Sequence, residues 1–223
     1  MSYGSYTGEF DGSDDLWVRP SGGLVLAPRL TLDTHFAERQ REMRLVRMML
    51  DFDDFDRWGV GVDENTALVV QGDVGEVVGE NGVYFLDLSS VVFSSDPAAD
   101  ISGLRLTYLT HGDKFHFGSG KFLSRNPFVR QEKFDREYFS MSSGDDIFGG
   151  KPNTPAGEFR YTATTLFDSR QSDSSSLSSE RNPEFRVDMV KDASSVGYGG
   201  YMGDRFLISF VDLLVDVYVN SLE

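Results

Sequence analysis

Between residues 36 and 50 apolar positions recur at three- and four-residue spacing. At about 100° per residue Leu45, Val46, Met49 and Leu50 share one face, while Arg41, Arg44 and Arg47 line another. This pattern predicts a helix over 36–50 that packs on one side and presents cations on the other. Ahead of it, residues 24–32 (Leu-Val-Leu-Ala-Pro-Arg-Leu-Thr-Leu) read as a buried extended segment leading to Asp33. Residues 51–56 read as an acidic connector anchored by Phe52 and Phe55. Residues 58–70 read as strand, tight acidic turn and strand; 82–88 and 104–110 read as further strands, with loops around 72–79 and 94–102. A helix before a run of strands is an α/β pattern.

After about residue 118 the character changes. Residues 119–205 are rich in Ser, Gly, Asp and Arg, and 169–179 approach low complexity, so a mobile loop or linker is expected around 169–180. Residues 204–219 turn apolar again and must pack, most simply by returning to the first part of the chain. The expected organisation is therefore a part spanning 1–118 and a C-terminal extension, 119–223.

Composition narrows the functional classes. The chain has 223 residues, 39% of them hydrophobic, enough for a core. Its longest apolar stretch, 206–219, is broken by Ser209, Asp212 and Asp216 and falls short of the roughly 20 residues a bilayer requires, so no membrane partner is expected. A formal charge of −15 leaves no concentrated basic surface for a phosphate backbone, which argues against nucleic acid. That field suits a cationic or zwitterionic substrate, and acids away from any site read as solvated surface. The absence of cysteine removes disulfides and thiolate chemistry. Residues 1–15 lack a basic start and an apolar run, which tilts the compartment toward the cytoplasm if Met1 is the natural start.

Candidate chemistry concentrates between residues 33 and 67. His35 closes an apolar segment and opens the predicted helix, where a side chain can project into a crevice and a helix N-terminus disfavours an imidazolium. Glu64 stands in a tight turn, from which a carboxylate can orient an imidazole; turn chemistry alone explains it equally well. No metal is expected. Residues 51–56 superficially resemble a calcium loop, but Phe55 occupies the place of the third ligand. His111 and His116 flank Gly112, Asp113 and Lys114 without further well-placed zinc ligands. Gly59 and Gly61 lack the third glycine and following helix of a dinucleotide site, so no cofactor is expected. Arg130, Lys133, Phe134 and Arg136 carry no recognisable code, and no chemical motif stands out in 119–223.

Two motifs together carry a family resemblance. The first is Asp33-Thr34-His35-Phe36 followed by Arg39, Arg41 and Arg44; the second is residues 59–67, Gly-Val-Gly-Val-Asp-Glu-Asn-Thr-Ala. With residues 79–88 and 101–115, the latter ending in Leu-Thr-His-Gly-Asp-Lys-Phe, they resemble cyanophycinase and its relatives among the aspartyl-dipeptidase-like serine peptidases. The resemblance covers roughly residues 1–117.

It implies a three-layer α/β domain of the class I glutamine-amidotransferase-like (flavodoxin-like) kind, with its N-terminal half missing from this chain. It implies that His35 is the general base and Glu64 its orienting acid. Asp33, Thr34, Arg39, Arg41 and Arg44 match positions that shape the substrate pocket, with Thr34 replacing the family's glutamine. The implied reaction is hydrolysis of cyanophycin to β-aspartyl-arginine dipeptides, so the expected partner is a peptide containing arginine and aspartate. The family's nucleophile sits in an elbow resembling Gly-Thr-Ser-Ala-Gly-Ala, which this sequence lacks; Ser2-Tyr3-Gly4 matches only its second half. A truncated or degenerate chain is therefore expected, without turnover of its own. The alternative is a non-catalytic carboxylate- or peptide-binding or scaffold relative. Self-association is expected unless the extension covers the sheet edge left open.

Overall fold

The computed structural model describes Gly23, Ala27 and residues 30–51, 58–94, 100–124, 131–132, 146–150, 157–179 and 183–220. Most of the expected extended segment 24–32, the connector from Phe52 onward, and Arg130, Lys133, Phe134 and Arg136 lie outside the described residues. In chain order the elements are β1 (Leu30–Thr34), α1 (Glu42–Asp51), β2 (Trp58–Val62), β3 (Thr66–Gln71), β4 (Val74–Gly79), β5 (Gly82–Asp87), β6 (Val92–Phe93), β7 (Ile101–Thr110), β8 (Lys114–His116), β9 (Lys121–Ser124), β10 (Gln131–Glu132), α2 (Glu158–Phe167), β11 (Asp173–Leu177), β12 (Phe185–Val190), β13 (Val196–Met202) and β14 (Arg205–Val219). The architecture is mixed and sheet-rich, an α/β arrangement with few helices.

A large sheet runs β1-β2-β5-β7-β14-β12-β11, with β6 also on β7, β13 also on β14, and β10 on β13. Of its described pairings only β1 with β2 is parallel. A second sheet, β3-β4-β8-β9, is antiparallel throughout. Strand β5 explains how the layers stack. Its side chains alternate, so Tyr84 and Leu86 join the core shared with α1 and α2, while Val83 and Phe85 join the core shared with Val77 and Phe115 of the second sheet. Burial on both faces is why this strand reads as a continuous apolar run.

Several expectations are corrected. The helix expected over 36–50 is broken: Ala37–Arg39 form a 3-10 turn, Gln40 is left-handed (φ 48°), and α1 starts at Glu42. The break follows from tertiary competition for the backbone, because the Ala37 amide donates to Asp63 and the Ala37 carbonyl accepts from both Gln40 and Gly157. Within α1, Leu45, Val46 and Met49 are buried as their spacing predicts. The glycine-bearing segment expected as a loop at 72–79 contains β4, where a side chain at Gly75 would press to within 2.9 Å of Leu68.

The serine-rich segment expected to be mobile contains β11, with Ser174 and Ser176 buried alternately on its inner face. Serine is small enough to line a sheet interior, which composition alone does not reveal. The apolar stretch 204–219 is β14, paired along one edge with β7. Its other edge pairs first with β13 and then with β12. Between the two partners lies Asp212 in a left-handed conformation (φ 63°), where the register against β7 also slips, the signature of a bulge. Buried Asp113 ties the end of β7 to β14, accepting from the Thr110 amide at 3.0 Å and the Ser209 hydroxyl at 2.5 Å.

Candidate active site

The parallel register Asp33↔Gly61 and Thr34↔Val62 sets the carboxyl ends of β1 and β2 side by side, so the residues that follow, His35 on one strand and Asp63 and Glu64 on the other, become neighbours. Crevices at the carboxyl ends of parallel strands are where open α/β sheets present reactive side chains. His35 adopts a left-handed backbone (φ 53°), as does Asn65 (φ 53°) just after Glu64, so both chains turn sharply at the same level. His35 Nδ1 lies 2.8 Å from Glu64 Oε1, with both side chains about half exposed (48% and 45%). With Nδ1–H donated to the carboxylate, Nε2 is left as an acceptor. Among the described residues nothing hydrogen-bonds Nε2. The helix N-terminus expected beside His35 is not there, since α1 starts seven residues later.

Both turns are held from below. Asp63, 2% exposed, accepts from the Ala37 amide at 3.1 Å, from the Tyr108 hydroxyl at 3.1 Å and from Arg160 Nη1 at 2.7 Å. It therefore fastens the chain after His35 and the turn carrying Glu64 to one buried carboxylate. Glu38 Oε2 accepts the Glu64 amide at 3.2 Å, and Asn81 Nδ2 donates to the Glu64 carbonyl at 2.8 Å. Burial raises the Asp63 carboxyl, and Arg160 and the Ala37 amide pull it back. Burial would lower the Arg160 guanidinium, but the Asp63 carboxylate, by its charge and its hydrogen bond, works against this, and Arg160 stays above its ordinary range. Glu38 is raised by burial and by Asp63.

The cation row is used differently from expectation. Arg41 Nη1 donates to Asp33 Oδ1 at 2.9 Å and to the Thr34 carbonyl at 2.6 Å, and Arg44 Nη2 donates to Asp33 Oδ2 at 2.5 Å. Asp33 is thus enclosed by two guanidinium groups of its own chain, and its other oxygen contact caps the Thr34 amide. Burial and the neighbouring Arg44 and Arg39 lower Arg41, against Asp33, which raises it. Arg47, expected on the exposed cationic face, is buried. Arg39 is exposed at the end of the 3-10 turn; its main-chain amide donates to the His35 carbonyl at 3.2 Å, and its guanidinium hydrogen-bonds no described residue. Of the row, it is the guanidinium open to a ligand.

Arg160 lies within 119–223, where the sequence shows no chemical motif. Neither it nor Tyr108 belongs to a local motif, and only the pairing of β5 with β7 and the packing of α2 bring them to Asp63. His111 and His116 serve local structure, His111 Nδ1 accepting the Gly79 amide and His116 Nδ1 the Ser119 amide, each at 3.1 Å.

No protein-family model matches the chain. It is 33% identical over 101 residues to a cyanophycinase of Trichormus variabilis and likewise to one of a Nostoc species, each alignment covering 42% of this chain and 33% of the relative. A cyanophycinase of Geminocystis herdmanii is 33% identical over 102 residues, covering 42% and 36%. The chain spans about a third of the length of the curated relatives it matches. These similarities support a cyanophycinase-like relationship.

Proposed function

We propose that this chain carries the proton-transfer and recognition part of a cyanophycinase-like serine peptidase. In this reading residues 1–118 belong to a glutamine-amidotransferase-like peptidase domain, and 119–223 are an extension that braces it. The observation that carries the reading is the 2.8 Å pair of His35 Nδ1 and Glu64 Oε1, exposed at the carboxyl ends of two parallel strands beside the open Arg39. A serine hydroxyl placed at His35 Nε2 would lose its proton to the imidazole as its oxygen attacks an amide carbonyl. Glu64 would orient the ring and stabilise the imidazolium. The proton would then pass to the leaving amine, and water activated by the same nitrogen would release the acyl group.

Arg39 would hold a substrate carboxylate by a forked hydrogen bond, a geometry lysine does not reproduce. Asp33, held between Arg41 and Arg44, would set the positions from which their remaining nitrogens reach the ligand. Cyanophycin is the substrate this supports, with β-aspartyl-arginine as product. A second reading is carboxylate or peptide binding without turnover, which the exposed Arg39 supports as well.

Calorimetric titration with β-aspartyl-arginine tests recognition. Saturable binding is expected, weakened at least about tenfold by Arg39→Ala and not restored by Arg39→Lys. No binding to the unaltered chain would overturn both readings. Release of the dipeptide from cyanophycin, abolished by His35→Gln, would decide for the peptidase over the binding protein.

A further inference from the structure

On the other side of the Glu64 turn lies a cleft of about 270 Å³ that the dyad does not use. Its walls come from parts of the chain far apart in sequence: Asn81 beside the turn, Tyr108 on β7, Arg160 and Thr164 one turn apart on α2, and the start of β14 from Arg205 to Ile208. At this size it holds a molecule of amino-acid dimensions and not a peptide chain.

The hydrogen-bonding capacity left over inside it is divided by sign. Arg160 spends only Nη1, hydrogen-bonded to Asp63 and the Tyr108 hydroxyl and ion-paired with Glu38 at 3.8 Å, so among the described residues Nη2 and Nε are unspent. Arg205 spends Nη2 on the Glu80 carbonyl and has the rest of its fork unspent. The same lining carries acceptors: the exposed Glu80 carboxylate, which takes one bond from Asn65, and the Asn81 side-chain oxygen, whose amide nitrogen is committed to the Glu64 carbonyl. Phe206 and Ile208 supply an apolar wall.

The charged groups of this cleft come close to cancelling: Asp63 and, at 3.8 Å, Glu38 back Arg160, and Glu80 lines the same cleft as Arg205. A dianion such as phosphate would therefore enter against a surplus of carboxylates, and a bare cation would meet the two guanidinium groups of the wall. A zwitterion enters without net charge and can meet both signs. We propose that the cleft is a binding site for a free α-amino acid with an apolar side chain. Its carboxylate lies on the unspent faces of Arg160 and Arg205, its ammonium toward Glu80 and the Asn81 oxygen, and its side chain against Phe206 and Ile208. This goes beyond the peptidase reading and does not rest on it. Through Asn81 the occupied cleft would bear directly on the main chain of Glu64.

The test uses the whole chain, labelled for amide NMR and titrated with L-leucine, L-leucinamide and N-acetyl-L-leucine. Leucinamide lacks the carboxylate and the acetyl derivative lacks the ammonium. Leucine is expected to shift the amides of Asn81, Thr164 and Ile208 saturably below about 10 mM, and each analogue to bind at least about tenfold more weakly. Arg205→Ala at the mouth and Thr164→Leu, which fills the floor from a helical position, are each expected to reduce leucine affinity at least about tenfold with the rest of the spectrum unchanged. Absence of saturable shifts, either analogue binding as well as leucine, or both variants binding as the unaltered chain does, would overturn the proposal.

Discussion

Asp63 accepts three hydrogen bonds while excluded from water, and one comes from a guanidinium that is itself mostly buried. Replacing the carboxylate by an amide leaves the Arg160 charge with only Glu38, 3.8 Å away, as counter-charge, and breaking one side of a buried pair typically costs about 3 kcal/mol or more. Asp63→Asn is therefore expected to lower unfolding stability by roughly that amount, measured by urea denaturation. Arg160→Met should recover part of the loss in the double variant; losses that simply add would show the two residues to be uncoupled. Glu42 makes a different prediction. It is fully buried, its carboxyl oxygens have no partner among the described residues beyond its own main-chain amide, and burial pushes its pKa from 4.5 up to about 8. The folded state thus holds the proton more tightly than the unfolded state. The associated stability is complete below pH 4.5 and is lost as pH rises to about 8, at most roughly 5 kcal/mol. Glu42→Gln should flatten the fall in urea midpoint between those pH values, and parallel curves for the two proteins would rule Glu42 out as its source.

The elements meet at close quarters because β2 carries two glycines. A Cβ at Gly61 would stand 2.3 Å from the Phe36 ring, and one at Gly59 would stand 2.6 Å from Met49 Sδ. Gly-Val-Gly-Val therefore allows the 3-10 turn and α1 to lie directly on the strand, which brings the His35 turn against the Glu64 turn. Gly61→Ala should displace Phe36 and destabilise the fold by about 1–3 kcal/mol, as over-packing of a core does. Thermal unfolding of this variant checks it: an unchanged midpoint would mean that the ring has room to move. The helix period was legible in Leu45, Val46 and Met49 because it depends on spacing alone. The break at Gln40 was not, because its cause is the capture of Ala37 by Asp63 and Gly157, residues remote in sequence.

Across the whole molecule the decisive feature is β14, which fills the edge of β7 and links it to β12 and β13. Residues beyond 118 thus supply strands to the same sheet that carries the site, as well as Arg160 beneath it. A chain ending at residue 118 would leave the long edge of β7 with its backbone groups unpaired and the core against α2 exposed to water. Such a fragment is expected to be insoluble or to lack a cooperative urea transition, whereas the whole chain should show one. A cooperative transition in the isolated 1–118 segment would show that the first part folds without the second.

The amino-acid sequence by itself determined the local and periodic features: the buried face of α1, the strand at 82–88, and the two motifs carrying His35 and Glu64. Spacing and side-chain chemistry suffice for these, since each depends on residues close together in the chain. Tertiary structure alone decided that Arg41 and Arg44 close on Asp33, leaving Arg39 open, and that a serine-rich segment forms a strand. It also joined Asp63 to Tyr108 and Arg160, which are 45 and 97 residues away. The physical reason is common to all of these. A polar group taken from water must find a partner wherever the folded backbone presents one, and that place is set by how strands pair and layers stack.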